Sequence, residues 1–116
     1  MFLTLFQIAL GGAIGSVLRY LVVTATAAPL GTAIVNIAGS FVMGLLFVVL
    51  SSRSMLSPLL MTGLLGGFTT FSAFSLDALK LWEGGQALQA IAYIAGSVIL
   101  SLAAVALGVA LARSVI

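Results

Sequence analysis

Charge is the scarcest thing in this chain, and its scarcity decides the fold class. The six charged side chains, Arg19, Arg53, Asp77, Lys80, Glu83 and Arg113, leave long uninterrupted apolar stretches between them. A helix needs about 20 apolar residues to cross the hydrocarbon of a bilayer. With 63% hydrophobic and 5% charged residues in 116, against about a quarter charged in soluble domains, the chain has room for four spans and little else. A separate soluble catalytic or receptor domain does not fit. The chain has no cysteine and no histidine, which removes disulfides, thiolate chemistry, the commonest general base and the commonest metal ligand. No nucleophile–base pair or metal-ligand cluster can be assembled, so an enzyme is not expected. The four cations are scattered, and nucleic acid is not an expected partner.

The expected architecture is an all-α membrane domain over 1-116, with spans at about 2-23, 32-50, 58-82 and 87-112. Ala28-Pro29 breaks the first connection, and Ser51, Ser52 and Arg53 close the second span. Pro58 suits the first position of a helix, and Gly84-Gly85 turns the chain into the fourth span. Small residues at Ala25, Ala27 and Ala28 imitate a leader cleavage site. No Lys or Arg precedes the apolar stretch, however, so the first segment reads as a retained span.

Four spans place Arg53 and Arg113 on one side of the membrane, with Arg19 and Lys80 near the other. Lysine and arginine asymmetry sets orientation, and two against two gives almost none. Such a chain can insert both ways and pair as an antiparallel homodimer; a partner or a weak bias fixing one orientation is the alternative. Gly11 with Gly15 and Gly63 with Gly67 fall at helical spacing. Small residues let helices approach closely in lipid, whether within one bundle or between subunits.

Polar residues at membrane depth mark either a pathway or a packed network, because an unsatisfied polar group there is costly. Thr32, Asn36 and Ser40 recur every fourth residue in the second span, as do Tyr93, Ser97 and Ser101 in the fourth. Each helix thus carries a stripe of hydroxyl or amide groups. Neither stripe holds an acid or base, and Asp77 and Glu83 are expected in the last turns of the third span or beyond. Neutral O–H and N–H groups can donate to an anion, and the Asn36 amide offers two donors. A single Ser or Thr can equally bond back to its own helix.

The third span carries Gly63-Leu64-Leu65-Gly66-Gly67-Phe68-Thr69-Thr70-Phe71-Ser72-Ala73-Phe74 halfway along. Adjacent glycines followed by two threonines are poor helix interior, which predicts a break at membrane depth. Carbonyls freed there suit a hard cation, and the N-terminus of the following half-helix suits an anion. Phe71 and Phe74 share one face just after the break, where their weakly positive ring edges can attract an anion.

Three runs together resemble the Fluc/CrcB family of fluoride ion channels along the whole chain. They are Gly11-Gly12-x-x-Gly15-Ser16-x-x-Arg19-Tyr20, Gly31-Thr32-x-x-x-Asn36-x-x-Gly39-Ser40-Phe41, and Gly66-Gly67-Phe68-Thr69-Thr70-Phe71-Ser72-x-Phe74. The resemblance implies an antiparallel, dual-topology homodimer with two pores, exporting fluoride passively across the bacterial cytoplasmic (inner) membrane. It implies a structural, untransported sodium ion held by the main-chain carbonyls of Gly66 and Thr69. Asn36, Phe71, Phe74 and Ser72 become the ion path, together with Thr32 and the Tyr93, Ser97 and Ser101 track. Arg19 becomes a pore-entrance residue. Where the family commonly has threonine between Ser72 and Phe74, this chain has Ala73, one hydroxyl fewer. Two other classes remain in view: a small dimeric exporter of organic cations, which would need an intramembrane carboxylate, and a non-transporting accessory subunit.

Overall fold

The computed structural model describes residues 1–50 and 54–116; the Ser51, Ser52 and Arg53 closure of the second span lies outside the described residues. The fold is all-helical. Helix α1 spans Phe2–Ala25 and α2 spans Leu30–Val49. The third span begins with a π-helical stretch, Pro58–Leu65, that continues into a single α-helical turn, Gly66–Phe68; together these form α3. Helix α4 follows over Phe71–Glu83, and α5 closes the bundle over Ala87–Val115. Among the described residues, four helical stretches are long and apolar enough to cross a membrane: α1, α2, the Pro58–Glu83 pair and α5.

Pro58 opens the third span at its first position, where a missing N–H costs nothing. The span is broken within the expected stretch, just before Phe71, at the threonines and not at the glycines. Gly66 keeps helical angles (φ −61°, ψ −37°), and the extended residues are Thr69 (φ −91°, ψ 156°) and Thr70 (φ −155°, ψ 119°). The reason is local. β-branched threonines favour extended backbone, while Gly67 is needed inside the helix for contact with α1. At the far end, Gly85 takes φ +80°, and the Gln86 N–H donates to the Leu81 carbonyl at 2.9 Å. This left-handed cap stops α4 and starts α5.

Two seams organise the bundle, α1 against α3 and α2 against α5. In the first, a Cβ on Gly11 or Gly15 would strike the α3 backbone at Leu59 and Leu64, and one on Gly67 would meet Gly12. The two glycine pairs therefore pack against each other within one chain. The second seam repeats the device with Gly44 against Val105 and Gly108 against Phe41. Close backbone approach gains dispersion contacts where hydrocarbon offers no hydrophobic drive. Most large side chains face outward, Leu88, Phe71 and Leu102 among them, as a chain solvated by lipid requires. The chain forms a slab of 47 × 33 × 22 Å, with residues flanking the break exposed along one side: Gly66, Phe71 and Ser72 are all exposed.

Candidate functional site

The break creates the site, because it detaches backbone groups from their helical partners. In a continuous helix the Thr70 N–H would bond to the Gly66 carbonyl. Here it donates to Asn36 Oδ1 at 2.7 Å, and Asn36 Nδ2 donates back to the Thr70 carbonyl at 3.0 Å. The Ala73 N–H would in a continuous helix serve the Thr69 carbonyl; instead it donates to Thr70 Oγ1 at 3.2 Å, capping α4. Thr69 Oγ1 bonds back to the Leu65 carbonyl at 3.0 Å. From α1, Arg19 Nε donates to the Gly67 carbonyl at 2.9 Å. The carbonyls from Gly66 to Thr69 thus stand outside the α4 ladder, and for Gly66 and Thr69 the helical donor has gone to a side-chain brace. They are hard, neutral oxygen ligands, the type a sodium ion takes.

Three hollows surround this joint. One of about 340 Å³ is lined by Asn36, Ser40, Thr69, Thr70, Phe71 and Ser101, among others. A second, of about 270 Å³, lies on the other side of Thr70 and is lined by Ser16, Arg19, Tyr20, Val23, Thr32, Thr70 and Ala73. A third, of about 200 Å³, joins Phe71 and Phe74 to Ser97 and Ser101. Phe71 and Phe74 have ring centroids 5.4 Å apart at 48°, and Phe74 lies 5.4 Å from Tyr93 at 41°. Phe74 is buried, whereas Phe71 is 76% exposed. Ser97 is buried, and its hydroxyl has no hydrogen-bond partner among the described residues. Ser72 Oγ pairs with Thr70 Oγ1 at 3.2 Å.

The two polar stripes therefore converge on one joint. Asn36 and Ser40 from α2 and Ser101 from α5 share the first hollow, Ser97 and Ser101 share the third, and buried Thr32 lines the second with Arg19. Tyr93 stands apart from the hollows, its hydroxyl donating to Asp77 Oδ2 at 3.4 Å. Asp77 lies in the last turns of the third span, as expected, and is half-buried there. The Asn36 amide differs from the expectation of two free donors. One Asn36 donor is committed to Thr70, which leaves a single N–H for a ligand. The residue that the sequence reading passed over is Thr70, which caps α4, holds Asn36 and lines two hollows. Its position three residues before Ala73, opening an amphipathic half-helix, was the available signal.

A bundle of bilayer-length helices around a polar joint, its side chains neutral apart from Arg19, is a multi-pass membrane protein. The family described as CrcB-like protein, Camphor Resistance (CrcB), matches residues 6–109, and the chain belongs to that family. It is 52% identical to the fluoride-specific ion channel FluC of Paracoccus denitrificans (strain Pd 1222), across 95% of this chain and 94% of that protein. It is 54% identical to the protein of that name in Cereibacter sphaeroides (strain ATCC 17029 / ATH 2.4.9), over the same shares. In Rhizobium etli (strain CIAT 652) the identity to the protein so named is 53%, across 94% of this chain and 95% of the relative. These relatives are ion channels by name, and the chain is not an enzyme.

Proposed function

We propose that this protein is a fluoride-selective channel allowing passive export of fluoride across the bacterial cytoplasmic membrane. The observation that carries the reading is the joint itself: Asn36 clamps Thr70 while neutral hydroxyls line the adjoining hollows. The names of the relatives support the choice of ion. Fluoride holds its water strongly, so a path must replace that water by donors weak enough to release the ion again. Asn36 has one N–H left after serving Thr70, and the unpartnered Ser97 hydroxyl is a ready donor. Ser101 and Ser72 add hydroxyls on either side, and Phe71 and Phe74 offer ring edges. A fixed lysine here would hold the ion too tightly. Thr32 and Arg19 line the hollow that we read as the mouth, and Tyr93 extends the track beside Phe74.

The working unit in this reading is an antiparallel homodimer with two pores. Gly66, Phe71 and Ser72 lie exposed at the break, and exposed polar groups are costly at membrane depth. A second copy set against that edge would cover them. The Gly66 and Thr69 carbonyls of both copies would then hold a structural sodium ion, which when bound supplies a fixed positive charge and a link between the two broken helices. The near-even lysine and arginine balance supports insertion in both orientations.

The direct test is purified protein alone in liposomes. The expected result is release of fluoride with retention of chloride; no fluoride release would overturn the reading and return the accessory-subunit alternative. The cation has its own test. Dialysis into buffer without sodium or lithium is expected to weaken both dimer and flux, and intact assembly and flux would remove the ion from the account.

A further inference from the structure

We propose that Arg19 is a positioning residue of the break, acting through the shape of its guanidinium rather than through charge attraction at the mouth. The break leaves more carbonyls than donors. Gly66 and Thr69 lose theirs to Asn36 and to the Thr70 cap, while Gly67, lying between them, accepts from Arg19 Nε at 2.9 Å. Arg19 thereby ties off the Gly67 carbonyl; of the others at the break, those of Gly66, Phe68 and Thr69, the first and last are the pair the cation reading uses. This apportioning rests on the cation reading given above.

Arg19 is in place because of the α1 seam. Gly12, Ser16 and Arg19 follow helical spacing along one face. A Cβ on Gly67 would touch Gly12 backbone and Ser16 Oγ. The same face that locks α1 onto α3 therefore carries Arg19 one turn further, over the joint. The bond spans 48 residues of sequence and is part-buried, so it is a tertiary brace rather than a surface contact. A positive charge beside a cation site opposes cation binding. Its presence is accounted for if the planar fork is what matters, since a guanidinium presents donors in a fixed plane and an ammonium does not.

Arg19→Lys separates the two roles, because it keeps the charge and discards the fork. The brace predicts that R19K raises the sodium concentration for half-maximal fluoride efflux about tenfold, the factor carried by one charge-assisted hydrogen bond. It also predicts faster amide hydrogen exchange over residues 66–72, with efflux lowered equally at low and high ionic strength. A charge-only role predicts wild-type sodium dependence and exchange in R19K, and an efflux loss in Arg19→Gln that grows at low ionic strength; that pattern would overturn the proposal. If R19K does not yield folded protein, the same exchange and sodium measurements on R19Q decide. If wild-type efflux shows no sodium dependence, the cation reading falls, while the exchange rates at 66–72 still judge the brace.

Discussion

The two halves of the third span are held by opposite means. Helix α3 is fixed by backbone against backbone, its Gly63 and Gly67 set into Gly11, Gly12 and Gly15 of α1. Helix α4 is held by side chains: the Thr70 cap and the Asn36 clamp at its start, then Phe74 against Tyr93. A joint between a rigid rail and a side-chain-held arm can release main-chain groups without loosening the bundle. The polar chemistry collects at that joint.

The contrast is broken most severely on the rail. Gly15→Leu drives a side chain into the Leu64 backbone, and overpacking of this kind costs about 1–3 kcal/mol or more. The expected outcome is loss of monodisperse protein in detergent, and a wild-type melting temperature would show that the seam does not fix α3. Asn36→Ala acts on the joint next, stranding the Thr70 N–H and carbonyl. The expected loss is about 2–3 kcal/mol of stability, read by thermal unfolding, together with a steep fall in efflux.

Ser97→Ala sharpens the contrast because it touches function alone. Its hydroxyl has no partner to lose, so the melting temperature should hold while fluoride efflux drops about fivefold, the worth of one neutral hydrogen bond. A lowered melting temperature with unchanged efflux would make Ser97 a packing residue. The smallest effect is expected from Ala73→Thr. It adds a hydroxyl to a hollow already lined by Ser16, Thr32 and Thr70, so efflux should rise by no more than about fivefold.

Much of this was legible in the residues. Long apolar stretches between sparse charges imply four spans, and the fourfold spacing of Thr32, Asn36 and Ser40 places them on one face. The break was legible as a region but not to the residue. Propensity marks Gly66-Gly67 and Thr69-Thr70 alike; contact with Gly12 keeps Gly67 helical, and the extended backbone falls on Thr69 and Thr70. The π-helical form of Pro58–Leu65 has no pattern in hydropathy that would announce it. The Asn36–Thr70 and Arg19–Gly67 bonds join residues 34 and 48 apart, and no local rule pairs such residues.

That neutral side chains at the broken third span carry the anion is the claim on which the account stands. Asn36→Asp tests it most directly: it keeps the size of the side chain and the acceptor for the Thr70 N–H, gives up the donor to the Thr70 carbonyl, and places a negative charge on the path. Fluoride efflux from liposomes containing the variant, checked for wild-type helix content and elution, should fall to the protein-free background. Efflux at the wild-type rate would contradict the account.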